Sequence, residues 1–273
     1  MFLNKKKSKK MENKIEKSIE LIKKGEKVAL SLDPAKGYHV AFSGGKDSQA
    51  VLELVKMAEV KYTAIYNVTG IDSPTTIHFM QKYYPEVIFS HPKENFFRLV
   101  EKKGLPTIMR RHCCERIKEL SDSGCVVLTG VRAEESRKRS KYEQTMIMSR
   151  RKENRGVSKT IDEIEKSEHR CIKGKDKILM HPILDWTLED VLSFIELRGL
   201  RLNPSYMEVE RVGCMICPFA KAEQMERFEE RYPGYKKRLL LALHRYWDKT
   251  DSHYDNSPEE YYERWKHKIP IKK

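Results

Sequence analysis

Ser43-Gly44-Gly45-Lys46-Asp47-Ser48 combines two features that suit a phosphate anion. Adjacent glycines let the backbone approach a ligand closely, and a lysine can neutralise it. The hexamer follows an apolar run at 38–42 and opens an amphipathic stretch at 49–58, so it reads as a strand, a turn and a helix whose positive end faces the turn. It is not a Walker A loop, because the glycine spacing and the closing Gly-Lys-Ser/Thr are missing. An ordinary strand-to-helix turn is the plainer alternative.

Arg111-His112-Cys113-Cys114-Glu115-Arg116-Ile117-Lys118 sets two adjacent thiols among basic residues, and Cys214-Met215-Ile216-Cys217-Pro218 adds a second pair about a hundred residues later. CxxC spacing lets two sulfurs face one metal, and Cys-Pro after it recurs in iron–sulfur proteins. Nearby positive charge would lower thiol pKa values and offset a thiolate cluster's charge. Zinc competes at the level of ligand type. A vicinal pair is awkward for a compact zinc site, which favours a [4Fe–4S] cluster, with four unligated buried cysteines as the structural alternative. Cys125 falls in a strand pattern and Cys171 in a loop, so both read as bystanders. His112 could be an acid, a base or simply an exposed ring, and takes no assigned role.

Strands and helices must position these groups. Apolar runs at 38–42, 62–68, 87–89, 126–129 and 178–180 read as strands separated by amphipathic stretches, which predicts an α/β fold with a parallel sheet and helices on both faces. Such sheets hold ligands at the carboxyl ends of their strands, where residues 43–48 and Gly130-Val131-Arg132 both fall. Ile15, Ile19, Leu21 and Ile22 predict a helix over 11–27. Asp185-Trp186-Thr187 with Asp190 reads as a helix start capped by Thr187. The expected organisation is a basic tail over 1–10, a nucleotide-binding core over 11–200 and a small, mainly helical, cysteine-bearing part over 201–273.

Length 273 suits one sizeable core, or a core with a small appended unit. Six cysteines are too few for a disulfide scaffold, and no apolar run could cross a bilayer, so a cytoplasmic protein without membrane contact is expected. Lys and Arg number 54 against 40 Asp and Glu, a net +14 that favours anionic substrates or polyanionic partners. Residues 137–159 hold nine basic and two acidic side chains and read as a loop, either a solvated insertion or a phosphate-contacting surface.

Taken in order, the loop at 43–48, Cys113-Cys114, Gly130-Val131-Arg132-Ala133-Glu134-Glu135-Ser136, Pro182-Ile183-Leu184-Asp185-Trp186-Thr187 and the last CxxC resemble the phosphoadenosine phosphosulfate (PAPS) reductase family. The resemblance implies an adenine-nucleotide α-hydrolase-like fold. Assimilatory adenylylsulfate reductases within the family carry a [4Fe–4S] cluster on a matching CC…CxxC arrangement. The hexamer itself looks like the PP-loop of ATP pyrophosphatases, which cleave ATP between its α and β phosphates. Two features depart from true sulfonucleotide reductases. No cysteine follows Cys217, where those enzymes carry a nucleophilic thiol in a Cys-Gly-x-His segment, and the loop keeps Lys46 and Asp47 where theirs is altered. The combination is most similar to the ATP-pyrophosphatase components of DNA phosphorothioation systems, and more distantly to tRNA-thiolating enzymes.

That resemblance implies ATP, Mg²⁺ and a [4Fe–4S] cluster on Cys113, Cys114, Cys214 and Cys217. It also implies a nucleic-acid partner, DNA before tRNA, and a cysteine desulfurase as sulfur donor. Lys46 with the backbone of Ser43, Gly44 and Gly45 would hold the phosphates, Ser48 would hydrogen-bond them, and Asp47 would help place Mg²⁺. Arg132, reached through Gly130, would stabilise charge near the α-phosphate, with Glu135 and Ser136 orienting it or the ribose. A surface salt bridge to Glu134 or Glu135 is the plainer role for Arg132. Tyr206 and Arg211 are candidates for a substrate channel, with core and surface roles equally open. Two readings compete: sulfonucleotide reduction with the thiol supplied by another protein, and a non-catalytic nucleic-acid-binding module.

Overall fold

The computed structural model describes residues 5–118, 123–148, 157–158, 160–166, 176–250 and 255–270. Its strands are β1 (Tyr38–Ala41), β2 (Tyr62–Asn67), β3 (Ile88–Ser90), β4 (Val126–Leu128), β5 (Thr145–Met148), β6 (Val157–Ser158) and β7 (Lys177–Met180). They form one sheet in the order β3-β2-β1-β4-β7-β5-β6. β1 pairs in parallel with β2 and β4, and β4 with β7, whereas β5 runs antiparallel to both β7 and β6. Successive strand residues point to opposite faces, so the burial of all of Val126, Val127 and Leu128 means that both faces of the central strand are covered. The expected α/β architecture is thus present.

The helices are α1 (Lys5–Leu32), α2 (Lys46–Ala58), α3 (Pro74–Tyr83), α4 (Phe96–Lys103), α5 (Ile161–Lys166), α6 (Leu188–Leu197), α7 (Ala222–Arg231), α8 (Pro233–Trp247) and α9 (Pro258–Lys266). α6 starts as read: Thr187 Oγ1 accepts from the Asp190 N–H at 3.2 Å, and Asp190 Oδ2 accepts from the Thr187 N–H at 2.7 Å. Trp186 is buried edge-on to Phe194, with ring centres 5.3 Å apart. No helix among the described residues is long and apolar enough to cross a membrane.

Three expectations are corrected. The lysines from residue 5 onward belong to α1 and are not a separate tail, since lysine is a good helix former and the apolar repeat behind it propagates the helix. The basic segment 137–159 is not simply a loop. It holds a 3₁₀ turn at Arg139–Lys141 and the strands β5 and β6, which hide in the sequence because each is short and flanked by charge. Residues 149–156 and 159, and also Cys171, lie outside the described residues. The third correction concerns organisation, because no single boundary falls at 200.

The chain divides into two compact units, each drawn from three segments. The first comprises Met1–Tyr66, His78–Phe89 and Asp122–Tyr206, the second Asn67–Ile77, Ser90–Ser121 and Met207–Lys273. In the first unit α1 lies along α2, and α2 along α6, around the sheet. In the second, α8 packs on α4, α7 and α9, and the core joins Phe96, Leu99 and Val100 to Leu239, Leu243, Tyr262, Ile117 and Ile216. Burial of apolar surface, at about 25 cal/mol per Å², rewards contact wherever the chain supplies it and takes no account of contiguity.

Candidate functional site

The first unit's sheet changes direction at β1. From there the chain moves outward through β2 and β3, then returns to lay β4 against the other side of β1. At such a switch point the loops leaving two neighbouring strands diverge and open a crevice at their carboxyl ends. Residues 43–48 leave β1 into α2 here, and Thr129-Gly130-Val131-Arg132 leaves β4. Two glycines make this junction possible. Gly44 has φ +70°, and a Cβ there would lie 2.9 Å from Met80 Cγ. A Cβ on Gly130 would lie 2.8 Å from the Asp47 backbone carbonyl carbon, so glycine lets the end of β4 touch the first turn of α2.

The loop is braced from inside and from afar. Ser48 Oγ donates to the Gly45 carbonyl at 2.8 Å and accepts from the Ser43 N–H at 3.2 Å. Asn203 Nδ2 donates to the Gly44 carbonyl at 3.0 Å, and the Tyr206 hydroxyl accepts from the Lys46 N–H at 2.9 Å. Lys46 Nζ lies 5.2 Å from the centre of the Tyr206 ring and 3.3 Å from Asp47 Oδ2. Arg132, buried at the end of β4, donates from Nε to Asp47 Oδ1 at 2.7 Å and from an Nη to Glu134 at 2.6 Å. Burial works against the Arg132 charge, but Asp47 and Glu134 outweigh it and hold the guanidinium above its usual pKa.

The structure brings Ser43, Gly44, Gly45, Lys46, Asp47, Ser48, Gly130 and Arg132 together, but it alters several expected roles. Ser48 spends its proton on the Gly45 carbonyl, so it braces the loop and does not point a donor at phosphate. Arg132 is committed to Asp47 and Glu134, which makes it a positioning group and contains the salt bridge foreseen as its plainer role. Glu135 accepts from the Arg132 N–H at 3.2 Å and pairs with Arg139, and Ser136 Oγ accepts from the Arg139 N–H at 3.2 Å. Both shape their own turn. Asp47 uses both oxygens on cations, and no group of three or more His, Cys, Asp or Glu among the described residues is placed to hold a metal ion. Asp47 thus stands between two cations, and its expected role toward Mg²⁺ would need the nucleotide's own phosphates as further ligands.

Sequence reasoning missed Asn203 and His181. Asn203 carries no local signal, since its contact with Gly44 spans more than 150 residues. His181, fully buried after β7, has Nδ1 2.6 Å from Thr129 Oγ1 and stacks on Tyr142, while its Nε2 has no hydrogen-bond partner. Burial, and then the charge of Arg139, lowers its pKa to about 4. Its position directly after an apolar strand was the available clue.

All four paired cysteines fall in the second unit, and none is in a disulfide. Cys114 begins a π-helical turn, Cys114–Lys118, whose Ile117 anchors it in the core. Cys214 is aligned by a bridge to Asp72 and by the Met215 N–H donating to the Ile71 carbonyl at 2.9 Å. Cys113 senses Cys114 and Cys214. Cys113 is pushed up by its hydrogen bond to Cys114, then by burial and by the charges of Cys114 and Cys214. Burial pushes Cys214 up, opposed by Lys118, whose own pKa is raised chiefly by the Cys214 charge. No metal-ion site closes among the described residues. The donor types, a vicinal thiol pair and a CxxC, nevertheless suit an iron–sulfur cluster, since half-buried thiols that stay protonated alone are deprotonated by bound metal.

The model of the phosphoadenosine phosphosulfate reductase domain matches residues 37–220. An uncharacterised protein of Methanocaldococcus jannaschii is 30% identical over 250 residues, covering 87% of this chain and 57% of that protein. The chain thus spans little more than half the length of that relative. Among solved structures, a PAPS reductase from Candida auris in a phosphate complex is 16% identical with a TM-score of 0.42, covering 78% of this chain and 97% of that one. The U34-tRNA thiolase NcsA from Methanococcus maripaludis with its [4Fe–4S] cluster is also 16% identical with a TM-score of 0.42, covering 94% and 82%.

Proposed function

Because the chain belongs to the phosphoadenosine phosphosulfate reductase domain family, we propose that it is an ATP pyrophosphatase that adenylates an acceptor for sulfur insertion. One observation carries this reading: a glycine turn at the sheet's switch point presents Lys46 and the start of α2 together, with Asp47 locked beside them by Arg132. The helix N-terminus and the lysine would neutralise the β and γ phosphates. An acceptor oxygen then attacks the α-phosphorus, the bond to the bridging oxygen breaks, and pyrophosphate leaves. A sulfur nucleophile next displaces AMP from the adenylated position. Tyr206 and Asn203 keep the loop backbone aimed, which lowers the cost of ordering it around substrate.

Cys113, Cys114, Cys214 and Cys217 would hold a [4Fe–4S] cluster, which when bound supplies iron able to carry sulfur or electrons. Lys118 beside Cys214 offsets thiolate charge there. The acceptor in this reading is nucleic acid, DNA before tRNA, in keeping with the net charge of +14. A cysteine desulfurase is the sulfur source. The test is pyrophosphate release from ATP by anaerobically purified protein offered DNA, RNA and small-molecule acceptors. Release that Lys46→Ala abolishes is expected. Release indifferent to that change, or sulfite formed from a sulfonucleotide, would overturn the reading.

A further inference from the structure

A second surface lies in the thiol-bearing unit. Residues 107–110 form a tight turn, with the Thr107 N–H donating to the Arg110 carbonyl at 3.2 Å and the Arg110 N–H donating to Thr107 Oγ1 at 3.0 Å. Its stem is fixed: Trp265 Nε1 donates to the Pro106 carbonyl at 2.6 Å, and the Leu105 N–H donates to the Tyr261 hydroxyl at 3.3 Å. Yet its tip holds Ile108 and Met109 in solvent, 51% and 90% exposed. Next along the chain, Arg111 lies over the ring of Phe219, 5.6 Å from its centre, and that ring is itself 57% exposed. Arg111 stands two residues before Cys113 and Phe219 two after Cys217. Apolar groups held in solvent side by side on an anchored turn, next to a cation-covered ring, offer a preformed surface to a partner.

We propose that Ile108, Met109, Arg111 and Phe219 form a stacking platform for unpaired bases of a single-stranded nucleic acid, presented beside the paired thiols. The proposal rests on the nucleic-acid reading above and narrows it to a single-stranded or locally opened strand. Arg110, Arg111 and Arg116 are exposed, and the carboxylates of Glu115 and Glu94 stand near them, so the local balance stays positive and suits a phosphate backbone. Aromatic faces and guanidinium planes are what unstacked bases pack on. A duplex keeps its base faces inside the stack and could offer this platform only phosphates.

Binding of a short fluorescent single-stranded DNA, and of the same sequence as a duplex, is measured by anisotropy on the anaerobically purified full chain. Phe219→Ala should weaken single-strand binding about tenfold and duplex binding far less. Met109→Ser should act in the same direction, and Arg111→Gln should reduce the salt slope by about one. These side chains sit in solvent, so the variants should melt like the parent. Unchanged single-strand affinity in Phe219→Ala and Met109→Ser, or equal losses for single strand and duplex, overturns the platform. Pyrophosphate release measured on the same preparations separates the two failures. Cleavage dependent on Lys46 with unaltered binding removes only the platform, whereas selective binding loss without any ATP cleavage removes only the pyrophosphatase reading.

Discussion

Arg132 Nε donates to Asp47 Oδ1 across 2.7 Å of space and 85 residues of chain, tying the loop that leaves β4 to the first turn of α2. Asp47 keeps Lys46 as a second partner and some solvent, so Arg132→Gln should cost about 2 kcal/mol, below the range for fully buried pairs. Pyrophosphate release should fall about a hundredfold, because a displaced carboxylate misplaces the lysine beside it. Adding Asp47→Asn should restore part of the stability lost, by about 1 kcal/mol. Strict additivity in urea unfolding would mean that the pair is not coupled.

Gly130→Ala drives a Cβ to 2.8 Å from the Asp47 backbone. Backbone yields less readily than a side-chain tip, so a stability loss of about 1–3 kcal/mol is expected, together with weaker ATP binding. An alanine variant with native melting and native ATP affinity would show that the contact between β4 and α2 is not tight.

Tyr206→Phe removes the acceptor for the Lys46 N–H and leaves the ring under the ammonium. The expected cost is about 1 kcal/mol, read as a rise in KM for ATP of roughly fivefold. A change confined to kcat would point to a role in the chemistry.

His181 titrates at about 4 in the folded chain and near 6.5 unfolded. Between those values the unfolded state binds more protons, so stability rises with pH there. The contribution is complete above about 6.5 and is lost as pH falls toward 4, amounting to about 3 kcal/mol. His181→Gln should flatten this limb of the urea midpoint against pH. A variant with the parent's slope would place the acid sensitivity elsewhere.

Cys113→Ser and Cys217→Ser should each lose iron and acid-labile sulfide from anaerobically purified protein, while Cys125→Ala and Cys171→Ser keep both. Cys125 is buried ahead of β4 and belongs to the first unit, whereas the paired thiols belong to the second. Stoichiometric zinc without iron would exclude the cluster.

What sequence determined alone is local chemistry. The glycine loop at 43–48, its place between strand and helix, the two thiol pairs and the Thr187 cap were legible because each lies within a few consecutive residues and obeys a fixed period or spacing. Tertiary structure decided who meets whom. It turned Arg132 from an expected phosphate ligand into the partner of Asp47, brought Asn203 and Tyr206 onto the loop, and built the thiol-bearing unit from three separated segments. Those outcomes depend on strand order and on burial between distant segments, neither of which is encoded by spacing. β5 and β6 escaped notice for the same reason, since a four-residue and a two-residue strand become strands only when β7 offers an edge to pair with.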